Sequence, residues 1–116
     1  MHYVEQKHGD ILVLSLKGKL AGEPETEVLY EKITNYLKEG IRKFVMDLKH
    51  VHWLSSMGIG SIMRCTMTIR TENGDMRLTG LSDKVQKVFD ITHLVGVIQV
   101  YDSPADAINS YETERN

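Results

Sequence analysis

The hydrophobic pattern of this chain changes period sharply in the middle, and that change restricts the fold more than any other feature. Lys43-Phe44-Val45-Met46-Asp47-Leu48 is too short for a helix and apolar enough for a buried strand. After a linker comes Trp53-Leu54-Ser55-Ser56, and from there Ile59, Ile62, Met63, Thr66 and Ile69 recur at three- and four-residue steps, which places them on one face of a helix. Asn73-Gly74 supplies a left-handed stop. A buried strand feeding an amphipathic helix is the half-unit of an α/β layer, so the rest of the chain is read for further halves.

Residues 3–7 and 11–16 flank His8-Gly9-Asp10, where a Gly-Asp pair provides the positive φ of a tight hairpin. Leu12, Leu14 and Leu16 alternate with Ile11 and Val13, as in a strand covered on both faces. Acidic Glu23-Pro24-Glu25-Thr26-Glu27 precedes Val28, Leu29, Ile33, Tyr36 and Leu37 at helical spacing, and Gly40 ends the run. The early carboxylates suit the positive end of the helix dipole. Residues 76–79 read as a strand, Ser82 opens a helix that turns Val85, Val88 and Phe89 inward, and residues 97–101 read as a last strand. Ser103-Pro104 pairs a capping side chain with proline at the first helical position, ahead of the apolar stripe Ala107, Ile108 and Tyr111. The expected fold class is therefore α/β, a mixed sheet of four to five strands flanked by about four helices.

At 116 residues the chain has material for one domain, residues 1–116, which buries roughly two-thirds of its unfolded surface. Its 41% hydrophobic and 26% charged residues are too apolar for disorder and too polar for a membrane protein. The longest apolar run, residues 11–14, falls far below a membrane span. Met1-His2-Tyr3-Val4-Glu5 lacks the basic segment and apolar core of a secretory signal, so a cytoplasmic location is expected. Cys65, the single cysteine, permits no internal disulfide and reads as a small core residue. A formal charge of −2 offers no general attraction for nucleic acid or anionic lipid, so protein partners are expected ahead of both.

The chemistry concentrates in Leu54-Ser55-Ser56-Met57-Gly58-Ile59-Gly60, where strand gives way to helix. Either serine can cap the helix, a contribution of about 1 kcal/mol, and two serines exceed what one cap requires. Gly58 and Gly60 each weaken a helix by roughly 1 kcal/mol relative to alanine, so something must approach closely there, a neighbouring backbone or a partner. Rival readings have less support. Asp47, His50, His52 and Ser55 are the residue types of a small serine hydrolase, yet Ser56 lacks the glycine two positions before it that a nucleophile elbow needs. His50 and His52 have no nearby third metal ligand, and His93 adds no spacing, so no metal is expected. Gly58-Ile59-Gly60 is a fragment of a phosphate-cradling loop without its third glycine or lysine, and no cofactor is expected either. Trp53 reads as a core residue or a partner anchor, and Met57, Met63 and Met67 as core gap-fillers or an adaptable surface, with the core the default for both.

The corner segment resembles the hydrophobic-Asp-Ser-Ser-Gly-Leu-Gly motif of STAS domains of the anti-anti-sigma type. The likeness extends over nearly the whole chain in order. Leu16-Lys17-Gly18-Lys19-Leu20 is similar to the family's early glycine-containing strand, Val45-Met46-Asp47-Leu48 to its central strand, Asn73-Gly74-Asp75-Met76-Arg77-Leu78 to its helix-to-strand step, and Tyr101-Asp102-Ser103-Pro104-Ala105-Asp106-Ala107 to its last. The resemblance implies a non-catalytic anti-sigma factor antagonist in a partner switch, which binds a serine-kinase anti-sigma factor, is phosphorylated by it, and is restored by a serine phosphatase. Carried over by position, the modified residue falls on Ser56, with Ser55 the second candidate. Ser55 stands where the family usually has aspartate, Met57 where it has a second serine or threonine, and Ala21 where many members are acidic.

The docking surface implied comprises Trp53, Ser55, Met57, Gly58 and Ile59 with the loop at residues 18–22, that is Gly18, Leu20, Ala21 and Gly22. A STAS scaffold that binds partners without phosphorylation is the alternative within the family. A phosphate at the corner adds about −1.5 to −2 charge facing helix amides, so it leaves its own domain folded and acts on the partner. Burying that dianion without cations costs several kcal/mol, enough to change affinity by orders of magnitude.

Overall fold

The computed structural model describes residues 1–91 and 98–114, and their backbone follows the expected alternation. The hairpin strands β1 (His2–His8) and β2 (Ile11–Leu20) pair antiparallel through a turn in which Gly9 takes a φ of 63°. Then come α1 (Glu25–Lys38), β3 (Lys43–Leu54), α2 (Ser56–Thr71), β4 (Asp75–Thr79), α3 (Asp83–Ile91), β5 (Gln99–Tyr101) and α4 (Pro104–Thr113). Spatial order in the sheet equals chain order, β1-β2-β3-β4-β5, and every pair after the hairpin is parallel. Because each crossover advances the sheet in the same direction, a constant right hand puts its helices on one face.

Side-chain packing bears this out. Leu12, Leu14, Leu16, Phe44, Met46, Met76 and Leu78 meet Leu29, Ile33 and Leu37 of α1, Ile62, Cys65 and Ile69 of α2 and Phe89 of α3. The opposite face buries Ile11, Val13 and Val45 against Ala107 and Tyr111 of α4. Both faces of β2 are thus covered, as its unbroken apolar run requires. The Tyr111 hydroxyl reaches Phe44 O at 2.8 Å and Asp75 O at 2.9 Å, sharing its one proton between two strands. Arg77 is buried on this face, to 1% exposure.

Several boundaries differ from the local reading. The linker expected after Leu48 is strand: β3 runs on to Leu54, with irregular pairing that sets His50 beside Lys17, Trp53 beside Lys19 and Leu54 beside Leu20. β2 correspondingly extends past Leu16 to Leu20. Paired chain end to chain end, each segment supplies the hydrogen bonds that neither had in isolation. The left-handed residue closing α2 is Asn73, with φ 67°. Gly74 serves close approach instead, since a Cβ there would stand 2.5 Å from Arg42 O. Val97 of the expected last strand, and His93, lie outside the described residues. The Ser103 cap forms as read, accepting from Asp106 N at 3.2 Å, and Ser82, read as a helix start, accepts from Val85 N at 3.2 Å. Among the described residues no helix is long and apolar enough to cross a membrane.

Candidate functional site

At the rim of the sheet, β3 delivers the chain to α2 beside the last residue of β2. Ser55 is the N-cap: its backbone is extended, and its Oγ accepts from Gly58 N at 3.0 Å. The same hydroxyl donates to Ala21 O at 2.5 Å, and Ser55 N donates to Leu20 O at 3.2 Å. Both sides of its hydrogen-bonding capacity are engaged. An ionised aspartate, acceptor-only, would have no proton to offer Ala21 O. That is a physical reason for serine at this position.

Ser55→Ala removes the cap and strands the Ala21 carbonyl. The expected cost is about 1–2 kcal/mol in urea unfolding. An unchanged midpoint would mean that water replaces both bonds without loss.

Ser56 is the first residue of α2, exposed, with no side-chain hydrogen bond among the described residues. The first turn of α2 carries no acidic side chain to repel added negative charge, and its amides face outward along the helix axis. The two serines therefore differ in kind. One hydroxyl is a structural pin, the other points to solvent without a task in the fold.

The corner brings the two segments expected to dock together, but not every residue in them is accessible. Met57 is 60% exposed with its Sδ 3.8 Å from where a Cβ on Gly22 would stand, so Gly22 lies beneath it. Trp53 is 50% exposed, with Lys84 Nζ 5.5 Å from its ring centroid. Met67 is also exposed, whereas half-buried Met63 packs against the core, so core filling describes Met63 but not Met57 or Met67. Trp53 likewise is no core residue.

Leu20, Gly58 and Ile59, by contrast, lie inside. Leu20 and Ile59 pack within the protein, and Gly58 abuts the Leu20 carbonyl. They belong under the surface rather than on it, because the helix start must seat its inward face on the end of β2. Gly18 is half-buried within β2, paired with Val51, and not part of a loop. Ala21 and Gly22 are half-buried at the rim. Gly60 does not pack on the sheet: it is exposed, and beyond its own stretch of helix nothing among the described residues lies within 4 Å of the position a Cβ would take.

The residues of the hydrolase reading are not assembled. Asp47 Oδ1 accepts from Lys49 N at 3.1 Å and Thr79 Oγ1 at 3.2 Å, and neither serine hydrogen-bonds a histidine among the described residues. His50 and His52 are exposed on β3, and among the described residues no three metal-ligating side chains come together. Cys65 is buried, and burial pushes its thiol up to about 12. Features that sequence reading missed are the two carbonyls, Leu20 O and Ala21 O, that hold the corner. Only the β2–β3 register could have pointed to them.

Among the described residues, a mixed five-stranded sheet with three helices on one face, one on the other and an exposed serine at a helix start defines a small α/β domain with its chemistry at the rim. A family model described as STAS domain matches residues 3–107, and the chain belongs to that family. The anti-sigma F factor antagonist of Paenibacillus polymyxa is 22% identical over 107 residues, 92% of each chain. The anti-sigma-B factor antagonist of Bacillus subtilis is 29% identical over 100 residues, 84% of this chain and 86% of that one. Among solved structures, the Bacillus cell fate determinant SpoIIAA in its phosphorylated form superposes with a TM-score of 0.74 at 17% identity, covering 95% of this chain and 99% of that one.

Proposed function

We propose that this chain is an anti-sigma factor antagonist that works as a partner switch, a binding protein and not an enzyme, controlled by reversible phosphorylation of Ser56. The observation that carries the reading is the division between the serines: Ser55 holds the corner to Ala21 O and Gly58 N, while Ser56 is exposed at the first helical position. The relatives named anti-sigma factor antagonists cover most of their own length and of this chain, which supports the same role here. The partner is a serine-kinase anti-sigma factor, and a serine phosphatase reverses the modification.

Trp53 and Met57, exposed on either side of Ser56 in the chain, form the docking surface with Ala21 and Gly22 at the rim. An exposed tryptophan with half its area in water has much to gain from burial in a partner. The phosphate leaves α2 intact, since helix amides and dipole favour it, and removes the kinase by desolvation and charge.

Incubation with the cognate serine kinase and ATP, followed by mass spectrometry, tests this. Phosphate is expected on Ser56, lost entirely in Ser56→Ala and retained in Ser55→Ala. An active kinase that binds the protein yet leaves Ser56 unmodified would favour a scaffold that never switches.

A further inference from the structure

We infer that Gly60 is a clearance residue for Ser56, its missing side chain leaving open the path by which a modifying enzyme reaches the hydroxyl. The inference rests on the phosphorylation reading above and adds a residue to it. Side chains on a helix tilt toward its N-terminus, so the surface over a given turn is covered by residues three and four positions further on. For Ser56 those residues are Ile59 and Gly60. Ile59 turns inward and is 7% exposed; Gly60 has no side chain.

Nothing among the described residues demands this glycine. It sits in the second turn of α2, exposed, and beyond its own stretch of helix no atom of the described residues lies within 4 Å of where a Cβ would stand, whereas Gly58 two residues earlier would drive a Cβ to 2.0 Å from Leu20 O. Glycine is the poorest helix former after proline, so an open helical position held by glycine runs against the fold's own interest. Gly60 lines a depression of about 170 Å³ together with Thr26, Glu27, Met57, Ser61 and Arg64, beside Ser56 in the chain but without Ser56 in its wall. Arg64 is held at its edge, bonded to Glu27 Oε1 at 3.2 Å and stacked 3.6 Å from the Tyr30 ring centroid. Phosphoryl transfer needs attacking oxygen, phosphorus and leaving oxygen roughly in line, so the donor and the loop carrying it must come down close over this turn.

Gly60→Gln is the test, with Gly60→Ala as the smaller step and Thr71→Gln, at the far end of α2, as control. Gly60→Gln and Gly60→Ala are expected to raise the urea midpoint, which excludes a folding defect, while phosphorylation of Ser56 loses about tenfold in kcat/KM for Gly60→Gln and less for Gly60→Ala. A second arm needs no kinase. In Ser56→Cys the introduced thiol reacts with iodoacetamide and with a bulky fluorescent maleimide, while Cys65 stays silent because it is buried and its thiol is pushed up to about 12. Adding Gly60→Gln should slow the bulky reagent about tenfold more than the small one.

Equal labelling and equal phosphorylation in a folded Gly60→Gln protein overturn the inference while leaving the phosphorylation reading intact. Size-selective slowing of labelling in a protein that the kinase never phosphorylates upholds the steric claim and sinks the phosphorylation reading.

Discussion

Gly58→Ala is expected to destabilise the protein by about 3 kcal/mol, lowering Tm on the order of 12 °C. The single added carbon would stand 2.0 Å from Leu20 O and 2.9 Å from Leu54 Cδ1. A side chain could swing away, but the nearer atom is backbone, and Leu20 O also accepts Ser55 N–H at 3.2 Å. Relieving the overlap means lifting the start of α2 off the end of β2, which stretches that bond and the one from Ser55 Oγ to Ala21 O. Losing bonds worth roughly 1 kcal/mol each, on top of the overpacking, outweighs the helix propensity that alanine gains, about 1 kcal/mol. The same substitution at Gly60 should stabilise, so the two glycines, two residues apart, are expected to respond with opposite sign. Urea and thermal unfolding of both variants check this, and a Gly58→Ala protein within about 0.5 kcal/mol of the parent would show that the corner yields more easily than its hydrogen bonds imply.

The second large effect is at Arg77, and its size should depend on what replaces it. Arg77→Ala is expected to cost about 3 kcal/mol and Arg77→Met about 1 kcal/mol or less. The guanidinium lies 3.8 Å from the Tyr111 ring centroid, donates to Ser110 Oγ and to Glu114 Oε1, the latter at 2.6 Å, and has Asp75 Oδ2 3.8 Å from its Nε. That Nε is buried without a hydrogen-bond partner. Losing one partner of a fully buried ion pair costs several kcal/mol because a charge is left stranded, but here the carboxylates can turn to water: Glu114 is 60% exposed and Asp75 32%. Packing therefore decides.

Alanine leaves a void under Tyr111, whereas methionine refills most of it and removes the orphaned donor. Denaturant unfolding of the two variants separates the accounts, since equal losses would mean that the ionic network and not the volume holds α4 to the sheet. Phosphorylation of Ser56 should be indifferent to both, because α4 lies on the opposite face from α2.

How much of this was legible beforehand depends on the range of each interaction. Alternating and 3.6-residue periods act over a few residues, and so do caps, which is why β2, β3 up to Leu48, α2, the helix start at Ser82, the Ser103 cap and the position of the corner could be read from the amino acids alone. The resemblance to STAS domains drew on the same local motifs in order, and the family match agrees with it. Residues 49–54 carry no such pattern, having His50, His52 and Trp53 where a strand would alternate cleanly, and they are strand only because β2 lies alongside.

Order, hairpin, helix starts and the rim location of two serines were thus written in the chain itself. Which of those serines is pinned was decided by a carbonyl 34 positions away, and which glycine is crowded by the carbonyl one residue before it. The burial of Leu20 and Ile59, the exposure of Trp53 and Met57, and the enclosure of Arg77 by the last helix were decided in the same way. Each follows from segments distant in sequence meeting in space, and local preference holds no record of the neighbour that a side chain will find there.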